Sequence, residues 1–307
     1  MRTRAARAAL FCLALFALYD AAAAQSRLAV VTTTTDLKSL VEAVAGDRVV
    51  VTSLVPPAMD AEDYQPRPQD LGRLKDARLI VRVGLDYDLW LDRLLRQANN
   101  PALLRGQAGY VDASFAVALL EVRGSAVGDQ GGHAHGSGNP HYWLDPANAQ
   151  IITGTVLEAL VQLDPANTGY YEARRIAFLD TLAAKLREWE MALAQVRGKP
   201  IVAYHNSWAY FARRFRLNIA GTIEVKTGVA PSPAHLGALL RTMREQQIKV
   251  IVKQPFEPDK YPAFLAERAG GTVVVLAASV GTIPEAADYF AMFDYNVKAL
   301  SAALRQR

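Results

Sequence analysis

The chain has 307 residues, of which 51% are hydrophobic, and its 34 basic and 30 acidic residues give a formal net charge of +4. This composition excludes a globally disordered chain, and the length predicts about two domains of ~150 residues each. The sequence has no stripe of basic residues, so we do not expect nucleic acid as a partner.

The N-terminus has the three parts of a secretory signal. Three arginines precede an apolar run that spans 8–19, and a row of small residues ends at Ala24. The apolar run is shorter than the ~20 residues that a transmembrane helix needs. We therefore predict a cleaved signal peptide at 1–24 and a periplasmic location. The one cysteine, Cys12, lies in this segment, so a metal site in the mature chain must use histidine, carboxylate or neutral oxygen ligands.

Apolar, β-branched runs alternate with helical patterns along the mature chain. The predicted strands are 28–34, 49–54, 79–83, 201–204, 219–224, 250–253 and 272–276. The predicted helices outside the middle of the chain are 36–45, 86–97, 208–215, 233–246, 259–269 and 284–304. This alternation is typical of α/β proteins, in which helices cover both faces of a parallel sheet.

The middle of the chain carries a longer helical pattern. Apolar residues from Leu179 to Val196 recur every three or four positions, which predicts a helix over about 167–196 with a length of ~45 Å. We therefore predict two similar α/β lobes with central parallel sheets, 25–165 and 198–307. One long linking helix at 166–197 joins them.

Three potential metal ligands stand where a strand or loop ends and a helix begins. Glu62 follows the strand at 49–54, and His205 follows the strand at 201–204. His141 lies just before a predicted helix at 146–163, with Asp145 placed to cap it. Each residue alone also fits a structural role, as a solvated acid or a packed histidine. One carboxylate and two imidazoles brought together from three turns suit Zn²⁺, and also Mn²⁺ or Fe²⁺.

The same three ligands leave two other kinds of protein open. Two histidines, one carboxylate and an open position also describe catalytic zinc and non-haem iron sites, so a secreted metalloenzyme is one alternative. The chain has no H-E-x-x-H motif and no general base beside these ligands, and we therefore predict that it is not an enzyme. A metal-free binding module on the same scaffold is the other alternative.

Several longer motifs resemble those of a known family. They are the proline-rich turn at 60–68, the segments at 84–91 and 140–146, the His-bearing loop, the long linking helix, and the segments at 205–211 and 223–233. Together they resemble the TroA-like solute-binding proteins of zinc and manganese ABC importers over essentially the whole mature chain. The resemblance implies that a metal ion binds as cargo in the cleft between the lobes and passes to a membrane permease. We expect a monomer.

The family's ligand positions match this chain only in part. His141 and His205 stand at ligand positions, whereas Glu62 replaces the usual first histidine and Ala278 stands where the family has an aspartate. Zinc is the first expectation for the cargo, and the carboxylate at Glu62 keeps manganese and iron as alternatives. Water could complete the site. The other candidates are oxygens of nearby side chains, namely Asp63, Gln254, Glu257 and Ser279, and the histidines of the His-bearing loop, His133 and His135.

Overall fold

The computed structural model describes residues 27–121 and 138–305. The predicted signal peptide, His133 and His135 lie outside these residues. The strands are β1 (Leu28–Thr32), β2 (Val49–Ser53), β3 (Leu79–Arg82), β4 (Tyr110–Asp112), β5 (Pro200–Ala203), β6 (Asn218–Thr222), β7 (Val250–Lys253) and β8 (Thr272–Val275). The helices are α1 (Thr35–Ala45), α2 (Pro68–Asp76), α3 (Trp90–Ala98), α4 (Asn148–Leu163), α5 (Thr168–Leu193), α6 (Ala209–Phe215), α7 (Pro233–Glu245), α8 (Lys260–Ala269) and α9 (Tyr289–Arg305).

The strands form two parallel sheets with the same topology. The strand order is β2-β1-β3-β4 in the first sheet and β6-β5-β7-β8 in the second. In the first sheet Val30 pairs with Val51 on one side and with Leu79 on the other. The predicted α/β fold with two similar lobes is therefore confirmed. In each sheet the first strand of the lobe lies inside, and the loops that follow it and its neighbours meet at one edge.

The long linking helix is also confirmed. Helix α5 has 26 residues and is preceded by a 3₁₀ turn at Pro165–Asn167 and followed by another at Ala194–Val196. At 1.5 Å per residue, α5 alone is ~39 Å long. It packs against α1 and α4 of the first lobe and against α9 of the second. Of the predicted apolar stripe, Leu182, Trp189, Leu193 and Val196 are buried.

The two lobes share buried contacts beside this helix. The Trp143 indole donates to the Ala278 carbonyl oxygen at 2.8 Å, and the Tyr289 hydroxyl donates to the Trp143 carbonyl at 2.6 Å. The Val280 backbone N–H donates to the buried Asp36 carboxyl group at 2.9 Å. One hydrophobic core includes residues of both sheets. These contacts fix the floor of the cleft between the lobes.

Three helices begin two or more residues later than predicted. Helix α3 begins at Trp90 instead of residue 86, because Gly84, Leu85 and Asp86 have positive φ angles. Helix α9 begins at Tyr289 instead of residue 284. The chain first makes a compact turn, in which the Gly281 N–H donates to the Ala286 carbonyl at 2.6 Å.

The third late start concerns α4, which begins at Asn148. Asp145 accepts a hydrogen bond from the Ala147 N–H at 3.0 Å, and a 3₁₀ turn at Tyr142–Leu144 precedes it. Helix α2 and strand β4 were not predicted. Within the described parts of the chain, no helix is both long enough and apolar enough to span a membrane.

Candidate metal centre

The three predicted ligands converge in the cleft between the lobes. The Glu62 Oε1 atom lies 3.7 Å from His141 Nε2 and 3.9 Å from His205 Nε2. One ligand atom from each residue lies within 4.8 Å of the other two, and both histidines are buried. Ligands bound at ~2.1 Å to one tetrahedral ion lie ~3.4 Å apart, so a small contraction brings these three atoms to coordination distance. The arrangement can hold one divalent cation.

His141 is oriented by an asparagine two residues earlier in the chain. The Asn139 side-chain amide donates to the Asn206 carbonyl oxygen and to Glu121 Oε2, both at 3.0 Å. Both of these partners can only accept hydrogen bonds, so the Asn139 Oδ1 atom faces His141. Oδ1 accepts from the His141 backbone N–H at 3.0 Å and lies 3.2 Å from its Nδ1. The proton therefore belongs on Nδ1, and the lone pair of Nε2 points toward Glu62.

His205 is oriented by a carboxylate instead. Its Nδ1 lies 2.8 Å from Glu224 Oε2, at the end of the neighbouring strand β6. The other oxygen, Glu224 Oε1, accepts from the Gly228 backbone N–H at 2.7 Å, which fixes the carboxylate. A carboxylate that accepts the Nδ1 proton leaves Nε2 as the metal-binding atom and makes it more basic.

The charges around His205 oppose the effect of its burial. Burial lowers the pKa of His205, but the hydrogen bond to Glu224 and the negative charges of Glu62 and Asp60 raise it, and the net pKa lies above its ordinary value. A neutral imidazole is the form that binds metal, so protons compete with the ion at this position.

Glu62 is held from both lobes. Its backbone N–H donates to Asp60 Oδ1 at 2.9 Å, and the Thr227 hydroxyl of the second lobe donates to its Oε2 at 3.2 Å. Burial and the charge of Glu62 raise the pKa of Asp60 to about 6. Two carboxyl groups of the first lobe thus lie close together, and a cation in the cleft would lower the free energy of their ionised forms.

Ala278, where the resemblance leads us to expect an aspartate, offers no side-chain ligand for a metal ion. Ala278 is buried, and its carbonyl oxygen accepts the hydrogen bond from Trp143. Gln254 donates from its side chain to Ser207 at 3.0 Å, and its backbone N–H donates to Glu257 at 2.6 Å. In the described ranges, the cluster of titratable ligands consists of Glu62, His141 and His205, and neither Asp63 nor Glu257 belongs to it.

The residues that orient the histidines were not predicted from the sequence. Asn206 lies before α6, which begins at Ala209, and its side-chain amide donates to Glu121 at 2.7 Å. The position of Glu224 could have been predicted, because an acidic residue at the end of the strand beside β5 must lie near His205. His235 is not part of the site: its Nε2 lies 2.8 Å from the Thr222 carbonyl oxygen.

Comparisons with known proteins agree with this architecture. Residues 30–303 match the family model described as ZnuA, zinc-uptake complex component A, periplasmic. A putative metal-binding protein of Treponema pallidum is 28% identical over 251 residues, which cover 80% of this chain and 78% of the relative. The manganese ABC transporter substrate-binding lipoprotein PsaA of Streptococcus pneumoniae is 24% identical over 290 residues, which cover 91% of this chain and 90% of PsaA.

A solved structure agrees as well. A crystal structure of ZnuA superposes with a TM-score of 0.77 at 26% identity, and the match covers 91% of this chain and all of that one. The names of these relatives describe binding proteins and transport components rather than enzymes. The resemblance expected from the motifs is thereby confirmed. This chain belongs to the ZnuA family, the periplasmic component A of zinc-uptake complexes.

Proposed function

We propose that this protein captures one divalent transition metal ion between its lobes and delivers it to an ABC permease in the membrane. The observation that carries the proposal is the convergence of Glu62, His141 and His205 on one point of the cleft. Both imidazoles already present Nε2 toward that point, because Asn139 and Glu224 occupy their Nδ1 atoms. The predicted signal peptide at 1–24 supports a location outside the cytoplasm, on the side from which an importer receives its cargo.

Zinc is the proposed cargo, and manganese and iron are its competitors. Two imidazole nitrogens and one carboxylate suit a four-coordinate zinc ion whose remaining position is filled by water. A set with fewer protein ligands also admits ions that accept more oxygen ligands, as Mn²⁺ and Fe²⁺ do. The buried methyl group of Ala278 contributes no ligand, so the protein's ranking of these ions rests on the three residues in the cleft.

The test is a metal titration of the stripped protein. We expect one Zn²⁺ per chain, bound more tightly than Mn²⁺ or Fe²⁺, with competition by a coloured chelator as the readout. His141→Ala should weaken binding by about 100-fold or more, since even residues that only orient a metal ligand contribute roughly 10- to 100-fold. The matched control is His235→Ala, which removes a histidine of the second lobe outside the cleft.

Two outcomes would contradict the proposal. If none of the three ions binds stoichiometrically, the chain has lost the cargo site, and the metal-free alternative is correct. If His141→Ala binds like the control, the ion sits elsewhere. Delivery is tested separately, by growth of a strain that lacks the gene in chelator-treated medium. The wild-type gene should restore growth and the His141→Ala gene should not.

A further inference from the structure

A second concave site lies away from the metal cleft, where the end of the linking helix meets the second lobe. Its volume is about 470 Å³, within the range of roughly 300–1,000 Å³ that is typical of small-molecule sites. Every residue that lines it is ionisable: Asp145, Glu190, Arg197, Arg213, Arg214 and Arg216. Four guanidinium groups against two carboxylates leave an excess of two positive charges in one cavity.

Two of the arginines are fixed by a buried carboxylate. Arg214 contacts Asp145 through Nε at 2.6 Å and Nη2 at 3.0 Å, and Arg213 Nη2 lies 3.9 Å from the same carboxylate. Asp145 is only 1% exposed, so it acts as an internal anchor and is not available to solvent. These arginines are therefore held at the cavity with their remaining N–H groups free to donate.

The other two arginines have no such anchor. Neither Arg197 nor Arg216 forms an ion pair with any residue of the described ranges, and both are exposed. The next residue after Arg197 contacts Arg216, because the Gly198 N–H donates to the Arg216 carbonyl oxygen at 2.7 Å. Arg216 has a φ of 57°, in the left-handed region that favours glycine.

A structural role explains only part of this cluster. Arginines in the last turn of α6 stabilise the negative end of that helix, which accounts for Arg213 and Arg214. The same effect acts on Arg197 at the end of the linking helix, but it does not explain why arginines from the ends of two different helices line one cavity. Several guanidinium groups around one cavity are the arrangement that binds oxyanions through paired, charge-assisted hydrogen bonds.

We propose that this cavity binds a phosphoryl group, with Arg197 and Arg216 as its principal ligands and the anchored pair as support. The phosphoryl group comes either from a small free anion such as a diphosphate or from the headgroup of an anionic phospholipid. Both carry the same chemistry, two or more charged oxygens that can each accept from a guanidinium N–H. The site is independent of the metal cargo, and its failure would leave the proposed function untouched.

The test is a calorimetric titration of the full, metal-free chain with pyrophosphate, since a bound metal would itself chelate the probe. We expect saturable binding of one pyrophosphate per chain. The double variant Arg197→Ser and Arg216→Ser should bind about 100-fold more weakly, at roughly tenfold for each lost charge-assisted contact. The matched control, Arg187→Ser with Arg241→Ser, removes two exposed arginines elsewhere and should bind like the wild type.

Vesicles distinguish the two sources of the phosphoryl group. The lipid headgroup is the source if the protein cosediments with phosphatidylglycerol vesicles and not with phosphatidylcholine vesicles, and if the Arg197 and Arg216 variant loses this binding. Pyrophosphate binding without vesicle binding would identify a free anion. If neither probe binds, or if the variant binds both probes as well as the control does, the proposal is wrong.

Discussion

The two histidines of the candidate metal centre reach the same point from different surroundings. His141 donates a hydrogen bond from Nδ1 to the neutral amide oxygen of Asn139, whereas His205 donates from Nδ1 to the Glu224 carboxylate. The amide fixes the direction of the ring without adding charge. The carboxylate fixes the direction and also holds the pKa of His205 above its ordinary value against the opposing effect of burial. Protons should therefore compete with a metal ion at His205, the candidate ligand whose pKa is raised.

A second contrast separates Glu224 from Asp36. Glu224 has an imidazole partner, while the fully buried Asp36 accepts from the Val280 N–H and has no cationic partner within the described residues. Burial raises the pKa of Asp36 to about 7, and the hydrogen bonds lower it only in part. Asp36 lies at a contact between the lobes, whereas Glu224 lies beside the candidate metal centre. A carboxylate in the protein interior is stable when an imidazole donates a hydrogen bond to it, and it destabilises the fold when it must ionise without such a partner.

The largest expected effect comes from removing the charge at Asp36. A carboxyl group whose pKa is raised by folding stabilises the protein below its unfolded pKa of 3.8 and loses that contribution as pH rises through about 7. Between pH 5 and 8 this group should lower the free energy of unfolding of the metal-free wild type by up to about 3 kcal/mol. Asp36→Asn should abolish that part of the decline, as measured by urea denaturation at both pH values.

The control for this prediction is Asp180→Asn, an exposed carboxylate on the linking helix. The other carboxyl groups with raised pKa values are Asp60, Asp88 and Glu257. They are present in both variants, so their contributions to stability change with pH in the same way in both. An Asp36→Asn protein that loses as much stability between pH 5 and 8 as the control does would show that Asp36 is already ionised at little cost.

The second effect concerns metal affinity. Glu224→Ala and Asn139→Ala each remove the group that orients one histidine, so each should weaken zinc binding by about 10- to 100-fold. The loss should be greater for Glu224→Ala, because the carboxylate also makes Nε2 of His205 more basic. Competition titration at pH 8 measures both. The exposed Glu245→Ala is the control, and equal losses in the two variants would remove the distinction between carboxylate and amide.

The third effect is the pH dependence of zinc affinity, which separates the role of Glu224 from that of Asn139. Wild-type zinc affinity should fall with decreasing pH, and the fall should begin above the ordinary histidine pKa of 6.5 because the pKa of His205 is raised. Glu224→Gln keeps a hydrogen-bond acceptor and removes the charge, so the fall should begin at a lower pH than in the wild type. Asn139→Ala should lower the affinity without moving this midpoint. Zinc titrations from pH 5.5 to 8 measure this dependence. If the midpoint of the fall in affinity is the same in Glu224→Gln as in the wild type, the charge of Glu224 does not set it.

The smallest effect is expected at Thr227, whose hydroxyl donates to Glu62 at 3.2 Å. Thr227→Val keeps the shape of the side chain and removes one hydrogen bond, which should weaken zinc binding by about 1 kcal/mol, or about fivefold. The exposed Thr181→Val on the linking helix is the control. An unchanged affinity would mean that Glu62 is positioned by the first lobe alone.

Sequence patterns predicted the elements with strong periodicity and failed where local turns intervene. Strand β7 occupies the predicted residues, and α5 differs from its prediction by a few residues at each end. The late start of α9 could have been predicted from the sequence, because aspartate is a typical N-cap residue and Asp288 accepts from the Ala291 N–H at 2.9 Å. The late start of α3 could not, because Leu85 adopts a positive φ that its side chain disfavours.

The three candidate ligands were chosen because each stands where a strand or loop ends and a helix begins, and parallel sheets predict that such turns meet in the cleft between the lobes. Asn139 and Glu121 could not be given roles in the same way. An asparagine orients a histidine only if its amide is held by other acceptors, and these come from residues 18 and 67 positions away along the chain. No local pattern contains that information.

The sequence by itself determined the order of strands and helices, the two similar lobes and the identity of the residues that can bind a metal. These follow from the periodicity of apolar side chains and from the chemistry of single residues. Only the tertiary structure decided which group holds each histidine, that Asp36 is buried with no cationic partner among the described residues, and that four arginines surround one cavity. These features depend on contacts between residues far apart in the chain. Folding brings the ends of separate elements together, and the local sequence of one element carries no information about its contacts with another.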